Sequence, residues 1–340
     1  MIGVSAHGVY VPRARLNKKS IAMANSWFDA SLNSLAKGER AICNWDEDTI
    51  TMAVEAAKNC LASSSPEEIK SLYLASTTFP FTDRQNSVVV SEALNLQSNI
   101  RTMDVGASQR SATSSLISLL ESGVESDALL ISSEHRRSKA GSRSEMLWGD
   151  AAGALIIGHK NVIAECIGVE TSAVDFVDHY RGEESDFDYD WEERWIRDEG
   201  YLKLIPPVVE KLLSKANIKS EEIAHLVLPS DQARAPGAIA KKLGVAQEAI
   251  VDNQISSVGV AGAAQPIVLL SKALETAGPG EYILVLGFGQ GCDAILFRTT
   301  EEISKYKPFV GVESALANRR EEMNYNKFLS FNNLIEKDIG

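Results

Sequence analysis

Residues 147–158 read LWGDAAGALIIG and residues 286–297 read LGFGQGCDAILF. Each runs a glycine-rich turn into a short hydrophobic strand. One arrangement closing both halves of a chain points to an internal duplication of two α/β units packed as one body. Strand and helix signals alternate around both closings. The first half runs through VSAHGVYV (4–11), TITMAVEAAKNCLASS (49–64), SLYLAST (71–77), SVVVSEALN (87–95), TMDV (102–105), a helix from about 110, and ALLISSE (128–134). The second opens near IAECIGVETS (163–172) and continues through the helix GYLKLIPPVVEKLLSKA (200–216) and the strand AHLVLPS (224–230). It then passes through AIAKKLG (238–244), the small-residue segment ISSVGVAGAAQ (255–265) and the helix PIVLLSKALETA (266–277) to the strand YILVLGFGQGCDAILF (282–297). The expected organisation is therefore an N-terminal half over 1–160, a C-terminal half over 161–304 and a tail over 305–340.

Two segments break the pattern. Residues 175–201, DFVDHYRGEESDFDYDWEERWIRDEGY, are acidic, aromatic-rich and poorly periodic. They read as a surface insertion with solvated charges. The alternative is a substrate or partner loop, because Trp191, Trp195, Tyr180 and Tyr189 are costly to leave exposed. In the tail, Tyr325, Phe328, Leu329, Phe331 and Leu334 must pack on something, either their own domain or a partner chain.

The bulk numbers narrow the function classes. The chain has 340 residues, 44% hydrophobic and 24% charged, as in ordinary globular proteins. A net charge of −12 argues against nucleic acid or an anionic membrane as the main partner, since both would repel it. No window approaches a membrane span, and the first residues enter a strand pattern without a signal-peptide layout. Cys43, Cys60, Cys166 and Cys292 form no CxxC pair, so neither a zinc site nor a disulfide frame is indicated. A reducing cytoplasm is the expected compartment.

The informative junction is RTMDVGASQRSATSSLISLLES, residues 101–122. It leads from a strand through a small-residue turn into a helix carrying Ala112, Leu116, Leu119 and Leu120. A residue at such a junction sits at a helix N-terminus, where free N–H groups and the macrodipole favour developing negative charge. Acyl-transfer enzymes place a thiolate or alkoxide there. This chain places the amide of Gln109, a far poorer nucleophile.

Four stretches resemble the thiolase superfamily, on the branch of 3-oxoacyl-ACP synthase III and 3-hydroxy-3-methylglutaryl-CoA synthase. They are GERAICNWDEDTITMAVEAAKNCL (38–61), TMDVGASQRSAT (102–113), MLWGDAAGALIIG (146–158) and LVLPSDQARAPGAIAKKLG (226–244). The resemblance implies an α/β fold: a thiolase-like duplicated five-layer αβαβα sandwich. It also makes GFGQG (287–291) a late active-site loop. The family's acyl chemistry uses a cysteine, a histidine and an asparagine or second histidine. Carried onto this sequence, the cysteine position falls at Gln109, the histidine at Pro229 and the asparagine at Val258. A glutamate of the methylglutaryl branch falls at Thr77. All four differ from the family pattern.

Other polar groups do not rebuild that set. Cys60 lies on an amphipathic helix and Cys292 begins a strand, so both read as core. Ser108 and Ser111 flank Gln109 without a histidine placed by motif. His225 and His179 read as structural histidines. Arg40, in the GER match, resembles an arginine at the CoA entrance, with a surface pair to Asp46 or Glu47 as the alternative.

Three functions follow as expectations. The first is a non-catalytic subunit, a degenerate methylglutaryl-CoA synthase-like chain within an acyl-CoA acyltransferase or thiolase complex. Its partners would be a second thiolase-like chain, as homodimer or heterodimer, and a small OB-fold and zinc-ribbon protein. The second is a non-covalent decarboxylase or Claisen-type enzyme in which Gln109 steadies an enolate, aided by Arg110, Asp231, Gln232 or Arg234. The third is a coenzyme A or acyl-CoA binder. No covalently bound cofactor and no metal are expected.

Overall fold

The structure is a computed structural model that describes every residue except 63, 124, 125, 337, 339 and 340. Its centre is a nine-stranded sheet. In the N-terminal half the strands are β1 (Gly3–Tyr10), β2 (Ile69–Ala75), β3 (Arg101–Val105), β4 (Asp127–Glu134) and β5 (Ala151–Gly158). In the C-terminal half they are β6 (Ala164–Ala173), β7 (Ile223–Val227), β8 (Tyr282–Phe288) and β9 (Gly291–Thr299). The spatial order is β7-β8-β9-β6-β1-β5-β4-β2-β3.

That order carries the duplication. In the first half β1 runs antiparallel to β5, β5 antiparallel to β4, and β4 parallel to β2. In the second, β6 runs antiparallel to β9, β9 antiparallel to β8, and β8 parallel to β7. The two closings quoted above are β5 and β9. The 282–297 stretch is a hairpin rather than one strand, because Gly289 (φ 149°) and Gln290 (φ 53°) reverse the chain. Within the sheet the halves are joined where Gly3 and Val4 pair with Glu165 and Ala164.

Six helices complete the layers: α1 (Thr49–Leu61), α2 (Asn86–Ala93), α3 (Ser111–Glu121), α4 (Leu202–Ala216), α5 (Ala235–Leu243) and α6 (Gln265–Thr276). Leu116 and Leu120 of α3 and Ile267 and Leu270 of α6 share one core with Leu130 and Leu155 of one half and Val285 and Ile295 of the other. These two helices are therefore the central layer. On the outer face of the first half, Met52 and Ala56 of α1 pack on Leu72 and Ile156. On the outer face of the second, Ile205 and Leu212 of α4 and Ile239 of α5 pack on Leu284 and Leu296. Helix, sheet, helix, sheet, helix is the five-layer αβαβα sandwich. Among the described residues no helix is long and apolar enough to cross a membrane.

The tail docks on its own chain. Glu321–Met323 pairs in parallel with Ala14–Asn17, which pairs with Glu39–Ile42. Tyr325 and Phe328 are buried beside Ile21, Ile42 and Met146.

A buried histidine gives the core a pH signature. His7 is fully enclosed on β1, and neither ring nitrogen has a hydrogen-bond partner among the described residues. Its ring lies 5.2 Å from that of Tyr306, whose hydroxyl donates to the His7 carbonyl at 3.0 Å. Burial pushes the imidazole pKa down to about 4 from its ordinary 6.5. Between those values the unfolded chain binds the proton and the folded chain does not, so stability is lost as pH falls. The loss should reach about 3 kcal/mol at pH 4 from this residue alone. Urea melts of the protein and of His7→Leu should diverge with that slope; parallel curves would contradict it.

Candidate functional site

The site forms where the turn after β3 meets the β8–β9 hairpin. Ala107 takes a left-handed conformation (φ 66°), and helix α3 begins at Ser111. Arg110 Nε donates to the Gly289 carbonyl at 2.8 Å and Ser108 Oγ to the same oxygen at 3.3 Å. A Cβ at Gly289 would stand 3.2 Å from Gln109 Cβ, so a residue without one lets the second half's turn lie over Gln109. Asp293, fully buried at the start of β9, fixes this junction. It accepts from Arg110 Nη1 at 2.7 Å, Thr171 Oγ1 at 2.7 Å, Thr113 Oγ1 at 2.8 Å and Ser114 Oγ at 2.7 Å. Arg110 is thus committed to holding the turn.

Gln109 faces a cavity of about 120 Å³, lined also by Trp148, His179, Trp191, Pro229, Asp231 and Val260. Pro229 reaches this cavity as expected. Val258 does not: it packs in the core with Val9 and Ala41, and Val260 and Gly262 line the cavity instead. The turn at Gly259 (φ 92°), pressed against Trp148 and Gly149, sets that register.

The acidic insertion overturns its bland reading. It folds into a small hairpin, His179–Tyr180 with Tyr189–Asp190, and closes over the cavity. Asp188 is the clamp. It accepts from Arg136 Nη2 and, at 2.8 Å, from Arg181 Nη1, and Arg181 also donates to the Thr77 carbonyl. Burial would raise the Asp188 carboxyl, but Arg136 and then Arg181 outweigh it and hold it below the usual range. Arg136 is buried with its guanidinium 3.5 Å from the centre of the Trp148 ring, a cation–π contact. Nearer the rim, Ser144 Oγ donates to Asp190 at 2.6 Å and Arg143 pairs with Glu193 at 2.5 Å.

His179, read from sequence as structural, is brought into the site. Its Nε2 lies 3.4 Å from Gln109 Nε2, and its Nδ1 lies 3.1 Å from Asp178 Oδ1. With the Nδ1 proton turned to Asp178, Nε2 accepts from the Gln109 amide; this tautomer follows from the network. Glu134 is the second group the sequence reading missed. Its carboxylate accepts from the Thr77 amide, from Thr77 Oγ1 at 2.9 Å and from Ser76 Oγ at 3.0 Å. A Cβ at Gly262 would stand 2.8 Å from both Glu134 Oε2 and Gln109 Oε1, so the two side chains converge there. Burial raises the Glu134 carboxyl, opposed by the Thr77 bonds and Arg136. Burial likewise raises Asp231, against Arg143 and Arg136. The signal for Glu134 was its place ending the strand ALLISSE beside Thr77. For His179 there was no signal in local periodicity.

Three other readings meet the structure. Arg40 is neither in a surface pair nor on an exposed rim. It is 2% exposed, donates from Nη1 to the Glu145 carbonyl at 2.6 Å, and lies 5.3 Å from the centre of the Phe328 ring. The tail, whose strand pairs with Ala14–Asn17, carries Phe328 over it. His225 pairs with Glu281 at 2.8 Å, away from the cavity. Gln232 donates to the Glu193 carbonyl at 2.9 Å and so anchors the insertion.

The comparisons agree with this architecture. The family model for the 3-oxoacyl-[acyl-carrier-protein (ACP)] synthase III C terminal matches residues 213–298. The hydroxymethylglutaryl-CoA synthase of Methanocaldococcus jannaschii is 26% identical over 348 residues, covering 99% of this chain and 100% of that protein. The chain is thus similar over nearly its whole length to hydroxymethylglutaryl-CoA synthases, and over 213–298 to the synthase III C terminal, and it shares their thiolase-like fold. Among solved structures, an HMG-CoA synthase complexed with CoA superposes with a TM-score of 0.83 at 18% identity, covering 96% of this chain and 89% of that one. The curacin biosynthetic pathway HMG synthase in complex with acetyl donor-ACP gives a TM-score of 0.82 at 20% identity, covering 97% and 88%. In this thiolase-like chain no thiol lines the cavity among the described residues. Cys43, Cys60 and Cys292 are buried, and burial raises the thiol pKa of all four cysteines, those three strongly.

Proposed function

We propose that this chain is a non-acylating member of its group. It receives an acyl thioester, of coenzyme A or of a carrier protein, at the Gln109 cavity and supports a thiolase-like acyltransferase assembly without forming an acyl-enzyme. The observation that carries this reading is the amide of Gln109 at the turn before α3, facing a cavity lined by no cysteine. A covalent acyl intermediate needs a thiolate or alkoxide with a base in reach, and buried protonated thiols do not supply one. The partners this reading calls for are a second thiolase-like chain bearing the nucleophile and a small OB-fold and zinc-ribbon protein. The ligand class is supported by the CoA and acetyl donor-ACP complexes of structural relatives.

One observation favours a second reading. The Asp178–His179 pair facing Gln109 is a candidate acid–base group, and the Gln109 amide is a donor suited to a thioester oxygen. Such a site would act on an acyl thioester without covalent attachment.

Both readings forbid acylation, and this is testable. After incubation with acetyl-CoA, intact-protein mass spectrometry is expected to show unmodified chain, while native spectra retain acetyl-CoA non-covalently. A stable acetyl adduct would overturn the proposal. The readings then separate on Gln109→Ala in the native complex. Activity within a few-fold of wild type supports the accessory role; a loss of several hundredfold with assembly intact transfers the chemistry to this chain.

A further inference from the structure

Cys43, His135 and Asp150 come together outside the acyl cavity. None of them lines it. Cys43 follows the strand Glu39–Ile42, His135 follows β4, and Asp150 precedes β5. One nitrogen of His135, Cys43 Sγ and a carboxylate oxygen of Asp150 all lie within 4.8 Å of one another. His135 Nδ1 is 3.0 Å from Asp150 Oδ2, which also accepts from the Cys43 backbone amide at 2.7 Å. The other oxygen, Asp150 Oδ1, is buried and accepts no hydrogen bond among the described residues. A buried carboxylate oxygen left without a donor is costly unless something cationic meets it.

We infer that Cys43, His135 and Asp150 form a binding site for a divalent transition-metal ion of the zinc class. Thiolate sulfur, imidazole nitrogen and carboxylate oxygen are the donor set zinc takes, at about 2.3, 2.0 and 2.1 Å. Tetrahedral ligands at those lengths stand roughly 3.3–3.8 Å apart, so the 3.0 Å His135–Asp150 contact would open by a few tenths of an ångström as an ion enters a cluster no wider than 4.8 Å. The preference for zinc over calcium or magnesium follows from the sulfur and nitrogen donors, which hard cations avoid. The His135 side chain is 28% exposed, which gives an ion a path of entry.

On binding, the metal–sulfur bond forms as the thiol proton leaves to solvent.

The test uses the full chain, stripped with a chelator and titrated with Co2+ and then Zn2+. One equivalent of cobalt is expected to give a near-ultraviolet thiolate-to-cobalt band that zinc abolishes. Zinc should also raise the melting temperature of the wild type. Cys43→Ser should remove the band, and His135→Gln should weaken cobalt binding at least tenfold. His135 is partly exposed, so its variant serves if Cys43→Ser fails to fold. No thiolate band in the wild type overturns the site. So does a band that survives Cys43→Ser, or one of unchanged affinity in His135→Gln.

Discussion

Asp293→Ala is expected to lower the free energy of unfolding by about 3–5 kcal/mol, the usual cost of breaking a buried charge pair from one side. The carboxylate is fully buried and accepts from Arg110, Thr113, Ser114 and Thr171 at once. Removing it leaves the Arg110 guanidinium, only 12% exposed, without its counter-charge. Three hydroxyls lose an acceptor in the same step. The consequence reaches function, because Arg110 ties the Gln109 turn to the glycine hairpin through the Gly289 and Gln290 carbonyls. Denaturant unfolding checks the magnitude, and hydrogen exchange at residues 106–112 checks the location. Asp293→Asn, which keeps an acceptor but not the charge, should fall between wild type and Asp293→Ala. A loss below about 1 kcal/mol for Asp293→Ala would mean that the junction does not depend on this carboxylate.

The second large effect is local. Asp188→Ala should release the insertion from the cavity while leaving the sandwich folded. Asp188 is 3% exposed and pairs with Arg136, 6% exposed, and with Arg181. Losing it strands a buried guanidinium against Trp148, worth about 3 kcal/mol of local stability. At about 1.4 kcal/mol per factor of ten, exchange of amides in 175–195 should speed by roughly a hundredfold. Global unfolding should change much less, because α4 packs through Ile205 and Leu212 on Leu284 and Leu296 of the sheet. Unchanged exchange in that segment would show that Arg143–Glu193 and Ser144–Asp190 hold the cover alone. Under the proposed function, the same variant should bind acetyl-CoA faster, since the cover no longer has to open.

The clamp also explains why the insertion was misread from sequence. Its acids look like solvated charges when counted along the chain. Their partners Arg136, Arg137 and Arg143 sit in a short basic run far away in sequence, and only folding sets the two runs face to face. Arg40 failed for a related reason. The residues after it suggested surface carboxylate partners, whereas the distant tail strand laid Phe328 across it. Val258 and Val260 exchanged places because the turn at Gly259 follows its packing against Trp148 and Gly149, which no spacing encodes.

What the sequence determined by itself is the framework. Alternating strand and helix periodicities and two glycine turns are local signals. They report which face of each element is apolar, and so which layers can stack. The place of Gln109 was equally local, since a strand, a small-residue turn and a helix start are neighbours in the chain. What only the tertiary structure decided is which side chains meet at that place. His179 with Gln109, Glu134 with Thr77, and Cys43 with His135 and Asp150 come from separate segments. Such meetings depend on the register of the sheet and on buried ion pairs. Both are properties of the packed chain, and periodicity carries no record of them.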